Sequence, residues 1–333
     1  MLKRLADNLE QLDLALEHLS NGDANNARFA LMLTDNAVEL TLHQIALQYS
    51  GRRQSWMRDS KLEFERELNA ALGRHFDAKV KLARLLGHLP GAVSETVTTV
   101  HGYRNEVYHV GLEHEEILPA LSRFYFSVAC DVLASFKPMG IGWSSNQKLP
   151  ERAKKYFSGK DRFMPGTREE YYEACRRLKD QVANGHGLLV TALAGHMERV
   201  IDETDGYIEY LKGGYPRDKQ PTRNEILVEC QAWPITFSDD GKAFVRSNPP
   251  PEKNIHGIVQ WVGAQYPNLI RTDPVPSWRK RLEAVRRERD AHSALKKYQS
   301  FMDQTAQLRD WIGESTAALD AHVEEQIDRM RGK

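Results

Sequence analysis

Cysteine is scarce in this chain. Cys130, Cys175 and Cys230 are the only three in 333 residues. They stand far apart, no Cys-x-x-Cys pair occurs, and the count is odd. That pattern argues against a disulfide framework and against a structural zinc site, and it suits a reducing cytosol. Long apolar runs are missing too. None approaches the ~18 residues that a membrane span needs, so no membrane partner is expected. The opening stretch MLKRLADNLEQL is charged throughout and has no apolar h-region, which makes the cytoplasm the expected location. There is no Gly-x-x-x-x-Gly-Lys-Ser/Thr loop, no dinucleotide fingerprint and no Gly-x-Ser-x-Gly. NTP hydrolysis, hydride transfer and serine-hydrolase chemistry therefore lack support. His186 and His196 lie near Gly185 and Gly187 without an acidic ligand at metal spacing, so neither a metal nor a cofactor is expected.

Charge is balanced overall, with 46 Lys+Arg against 46 Asp+Glu, and hydrophobic residues make up 41%. This is the composition of a folded globular chain. Residues 1–138 hold 15 basic and 18 acidic side chains, and residues 139–333 hold 31 and 28. Two basic concentrations stand out. Lys148, Arg152, Lys154, Lys155, Lys160 and Arg162 surround Tyr156 and Phe157, with only Glu151 and Asp161 opposing them. Arg279–Lys297 carries eight basic and three acidic residues. Basic stretches with interleaved aromatics can follow a phosphate backbone and stack bases, whereas a solvated charged face gives the same pattern without function.

The periodicity predicts a mostly α fold. Leucines at 2, 5, 9, 12, 16 and 19 have helical rhythm, and Asn21-Gly22-Asp23 ends that run. Further helices are predicted over about 24–49, 60–89, 92–110 (with Gly102 as an interruption) and 115–136. Together they form an up-and-down bundle over residues 1–138. Lys137-Pro138-Met139-Gly140 is the expected boundary, and 139–165 reads as a linker or basic loop. Residues 166–333 read as a mainly helical region for recognition or partner binding. There, Thr167 and Glu170 form a capping pattern ahead of one long or two medium helices, kinked at Gly185 and Gly187. EILVECQ at 225–231 and KAFVR at 242–246 can be read as a small β-hairpin turning at Ser238–Gly241. A short helix follows at 255–266. Residues 277–330 form a long charged helix or helical hairpin, with Gly313 as its bend.

The most informative stretch is HGYRNEVYHVG at 101–111. Arg104 and His109 stand five residues apart within it. RNA cleavage by its own 2′-hydroxyl requires a group that exchanges protons near neutral pH, which imidazole supplies. It also requires a fixed cation for the charged phosphorane, which guanidinium supplies. The spacing alone is weak evidence, since Arg287…His292 repeats it within a uniformly charged segment. Five residues on an ideal helix turn two side chains about 140° apart, so a shared pocket needs an irregularity or a second subunit. Asn105 and His109, four apart, share a face. Helix two carries a second polar set, DNAVEL at 35–40. Asp35 and Glu39 interrupt an otherwise apolar stripe and need partners, among which Arg104 is a candidate.

Taken together, Arg104-Asn105-x-x-x-His109 and the DNAVEL segment in a bundle of about five helices resemble the HEPN superfamily. The resemblance covers residues 1–138. It implies a metal-independent RNA endonuclease that acts as a homodimer through this bundle. His109 would be the acid/base, Arg104 the phosphate-stabilising group and Asn105 its support, with Asp35, Glu39 and Tyr108 behind them. Outside the resemblance, the basic stretch with its aromatics makes Lys148, Arg152, Lys154, Lys155, Tyr156, Lys160 and Arg162 the expected RNA contacts. Many prokaryotic members are toxins or antiviral effectors, so a regulatory or antitoxin protein is a further implied partner. One toxin subgroup is modified at a Tyr two residues after the His. Position 111 here is glycine, and that mechanism has no target. The alternative expectation is an inactive HEPN-like adaptor or RNA-binding subunit of a defence or regulatory complex.

Overall fold

Leu2, Leu5, Leu9 and Leu12 fall on one side of a helix, and all four are buried. Burying each contributes about 1.5–3 kcal/mol, which fixes helix α1 (Leu2–Asn21) against its neighbours. The computed structural model describes residues 1–55, 63–109, 115–144, 146–159, 161, 163–182, 185–215 and 220–331; for 52–55, 107–109 and 185–186 it describes the backbone alone. The described residues form thirteen α-helices and one short 3-10 helix, Arg152–Tyr156, with no strand. The mostly α expectation therefore holds. No described helix is long and apolar enough to cross a membrane.

The chain divides into two compact units. The first is Met1–Leu193 with Glu288–Lys296, and the second is Ala194–Arg287 with Lys297–Lys333. In the first unit, α1 packs on α2 (Ala24–Ser55), and α2 packs on α6 (Leu118–Ser135). Helix α6 supplies the centre of the core: Leu121, Phe124, Tyr125, Phe126 and Leu133 are all inaccessible to solvent. A buried Asn8–Thr41 hydrogen bond of 3.0 Å satisfies two polar groups within the α1–α2 seam.

The third predicted helix is two helices, α3 (Glu65–Ala71) and α4 (Phe76–Leu85). Near Gly73 the helix tightens, its N–H reaching the Ala70 carbonyl, and His75 is extended, so the chain re-enters a helix at Phe76. Residues 60–62 of that prediction lie outside the described residues. Helix α5 (Gly91–His109) runs unbroken through Gly102. Helix α7 (Arg168–Asp180) begins with the expected capping box, Thr167 and Glu170 each satisfying the other's backbone N–H.

Helix α8 is Gly185–Gly213, and Gly187 lies inside it without ending it. The second unit corrects the hairpin. Both segments are helical: α9 (Arg223–Phe237) and α10 (Asp239–Ser247). A Thr222–Glu225 capping box starts α9, and the Ser238 hydroxyl accepts from the Gly241 N–H to start α10. The Ser-Asp-Asp-Gly sequence is thus a helix start with carboxylates in its first turn, where they suit the helix dipole, and not a β-turn. Gly241 is required there, because an added Cβ would stand 1.8 Å from the Ile235 carbonyl oxygen.

Helix α11 (Ile255–Gln265) follows as expected. The terminal segment is α12 (Val275–Arg286) and α13 (Ala291–Met330), with the break at 287–290 and none at Gly313. Asp290 starts α13: its carboxylate accepts from the Ser293 N–H at 2.9 Å and from the Ser293 hydroxyl at 2.7 Å. The three cysteines are free and buried, and burial pushes each thiol up, Cys175 to about 12.

Candidate functional site

Asp35 is the anchor of the site. It sits on α2 in a stripe whose other members pack against α6, and its own exposure is 0%. A carboxylate there is costly unless donors surround it. Tyr125 on α6 donates its hydroxyl to Oδ1 at 2.9 Å. His101 on α5 bonds Oδ2 through Nδ1 at 2.8 Å, and the Arg104 Nε lies 3.7 Å from the same oxygen. Against a carboxylate, Nδ1 is the donor, which fixes the imidazole orientation and leaves Nε2 as its second functional nitrogen. Burial foremost, and then the neighbouring Asp35 charge, push the Tyr125 phenol well above its ordinary value, so it remains a donor.

His101 and Arg104 are three residues apart, so both face Asp35 from one side of α5. Phe76 at the start of α4 stacks on the His101 ring, with centroids 3.7 Å apart and planes within 3°. The Arg104 guanidinium, ion-paired but not hydrogen-bonded to Asp35, donates from Nη1 to the Asn105 side-chain oxygen at 2.9 Å. Neither side chain is sealed in: that of His101 is 17% exposed and that of Arg104 28%. The arrangement is an oriented imidazole and a braced guanidinium, one helical turn apart, with access to solvent.

Glu39 lies one turn from Asp35 but does not join this network. Its partner is Lys79 on α4, at 2.8 Å, and the buried Lys79 ammonium also reaches the Arg74 carbonyl at 3.4 Å. Of the two carboxylates in DNAVEL, only Asp35 is beside Arg104. The side chains of Tyr108 and His109 lie outside the described residues. The α5 backbone reaches His109, the helix's last residue. Sequence reasoning gave His101 no role. The signal was present in its three-residue spacing from Arg104 and in the unpartnered Asp35 on α2, but no local motif links positions 35 and 101.

The described basic side chains of the 148–162 stretch are exposed or partly exposed, and several are ion-paired. Lys148 is exposed. The Arg152 guanidinium pairs with Asp13 at 3.3 Å and Glu17 at 2.7 Å, the Lys155 ammonium with Asp13 at 2.6 Å, and the Tyr156 hydroxyl donates to Asp13 at 2.5 Å. Lys154 pairs with Glu151. Lys160 and Arg162 lie outside the described residues. Burial would raise the Asp13 carboxyl, but the bonds from Lys155, Tyr156 and Arg152 and the Lys155 charge outweigh it and hold it below its ordinary value. The 3-10 turn is thus clasped to α1. The second Arg-x-x-x-x-His pair is also structural at its histidine: His292 bonds Thr96 at 2.7 Å and meets the Phe124 ring edge-on.

Among the described residues, no group of three or more His, Cys, Asp or Glu side chains is placed to hold a metal ion. Compared with known proteins, the chain matches no family model, no curated sequence and no solved structure.

Proposed function

We propose that the first unit is a metal-independent RNA endonuclease of the HEPN type, acting on RNA as a toxin or antiviral-defence effector. The observation that carries it is the Asp35-centred bracing of Arg104 on α5, beside an oriented imidazole and partly open to solvent. A guanidinium held this way needs no reorganisation to meet the charge that develops on a phosphorane.

In the proposed reaction the 2′-oxygen of one nucleotide attacks the adjacent phosphorus. An imidazole takes the 2′-hydroxyl proton, and a proton is returned to the 5′-oxygen as its bond to phosphorus breaks. The products are a 2′,3′-cyclic phosphate and a 5′-hydroxyl. Arg104 stabilises the phosphorane and Asn105 braces it. His109 is the proton-transfer group by the superfamily pattern. Arg104 and His109 are five residues apart on α5, so a homodimer completes the site by bringing a second set to the same cleft.

The test is cleavage of single-stranded RNA in the presence of EDTA by the wild-type chain and by Arg104→Ala, His109→Ala and His101→Ala. Loss of cyclic-phosphate product in Arg104→Ala and His109→Ala supports the assignment. Loss in His101→Ala with retention in His109→Ala moves the proton-transfer role to His101. Retained cleavage in both Arg104→Ala and His109→Ala refutes the site.

A second reading has its own observation. Asp35 is wholly buried, and its donors Tyr125 and His101 together satisfy both of its oxygens, which is also how a purely structural network looks. On that reading the bundle is an inactive adaptor or RNA-binding subunit. RNA binding with a steep salt dependence and no product separates it from the nuclease.

A further inference from the structure

The second unit contains a cavity of about 540 Å³ with no role in the reading above. Three helices build it, and each presents one face at helical spacing. Helix α9 contributes Ile226, Glu229, Trp233 and Phe237. Helix α13 contributes Trp311, Glu314 and Ala318. The end of α8 and the turn after it contribute Leu211 and Tyr215. That turn lies close to α13: a Cβ added at Gly214 would stand 2.8 Å from the end of the Leu319 side chain.

Two features define what such a cavity takes. The first is an open aromatic wall. Trp233 and Phe237 are 39% and 52% exposed, and their rings lie nearly parallel with centroids 6.3 Å apart. Large apolar side chains left this accessible within a concave site mark a binding surface more often than scattered exposure does. The second is charge of one sign. Glu229 and Glu314 edge the cavity, and no Lys, Arg or His is among its described lining residues. Tyr215 donates its hydroxyl to Glu229 at 2.5 Å, and burial together with that carboxylate raises the phenol, so it stays neutral and holds Glu229 in place. Pro234 lies in the same wall. It has no N–H to give the Cys230 carbonyl, so that acceptor lacks its usual helical donor.

Aromatic faces carry negative potential and attract desolvated cations, most strongly those whose charge is spread over an apolar surface. We propose that this cavity binds an organic cation, an ammonium group carrying an apolar or aromatic arm, with the charge between Glu229 and Glu314 and the arm against Trp233, Phe237 and Trp311. A neutral molecule of the same shape forfeits the carboxylates, and an anion is repelled by them. The ammonium can belong to a small molecule or to an alkylated lysine side chain of a peptide, since both present the same chemistry.

The experiment is titration calorimetry on the full chain with phenyltrimethylammonium, with its uncharged isostere tert-butylbenzene, and with a short Ala-flanked trimethyllysine peptide. The ammonium ligands should bind about tenfold or more tightly than the isostere. Glu229→Gln/Glu314→Gln and Trp233→Leu should each weaken ammonium binding by about tenfold, with the thermal melt showing the variants folded. A stronger signal from the peptide assigns the cation to a side chain, and a stronger signal from phenyltrimethylammonium assigns it to a small molecule. Equal binding of cation and isostere, no ammonium binding at millimolar concentration, or unchanged affinity in both folded variants overturns the proposal. None of these readings depends on RNA cleavage.

Discussion

Replacing Tyr125 by Phe removes one hydroxyl from a place with no water. Both Tyr125 and Asp35 are inaccessible to solvent, and the phenol donates to the carboxylate at 2.9 Å. A hydrogen bond to a charged group contributes about 1.5–3 kcal/mol, and Oδ1 has no solvent to replace the lost donor. The ring itself stays, so no cavity forms. We therefore expect a cost of ~2 kcal/mol. In a unit of this size that lowers Tm by about 4–8 °C. Asp35→Asn keeps an acceptor but loses the charge and presents an N–H to donors that already face it, so its cost should be at least as large, about 2–4 kcal/mol. If the phenol serves the carboxylate, the double variant costs at least ~1 kcal/mol less than the two single costs added together. Because the chain has two compact units, a single unfolding free energy is a poor readout. Native-state hydrogen exchange at α2 and α6 amides reports the relevant unit directly. A coupling below ~0.5 kcal/mol would show that the phenol does not hold Asp35 and would refute this reasoning.

Acid should release the 3-10 turn at Arg152–Tyr156. The folded Asp13 carboxyl titrates below its ordinary 3.8, so its contribution is present above that value and is lost as pH falls through the lower one. Melts of Asp13→Asn between pH ~6 and ~2 should show a shallower decline than wild type, and equal slopes would rule this out. Gly241→Ala drives a methyl into the Ile235 carbonyl and should cost about 2–3 kcal/mol, read as a fall in Tm of the second unit. A melt within ~1 °C of wild type would mean the α9–α10 corner can open without penalty.

Helical periodicity was enough to place α1, α2, α5, α6 and α7, because one-sided leucines and a capping box are local signals. The errors fell where a short apolar run lacks a decisive period. EILVECQ suits a strand by composition, and only the Thr222–Glu225 box marked it as a helix start. Asp290 opened α13 through a side-chain cap just past the end of α12, and α13 runs through Gly313 without the expected bend. The need of Asp35 for partners was legible, but Tyr125 and His101 are 90 and 66 residues away from it in sequence. Pairing of that kind is a property of helix packing, and one chain read linearly does not reveal it. The same holds for Asp13, whose pairing with Arg152, Lys155 and Tyr156 spans about 140 residues of sequence.

The shielded thiols have a practical corollary. Cys130, Cys175 and Cys230 are all buried, and each titrates above its ordinary range, so near neutrality none offers a reachable thiolate to an alkylating reagent. A cysteine introduced on the surface will react with maleimide well before any native one. Fluorophores or spin labels can therefore be attached at chosen points without first stripping the natural sulfurs from the core.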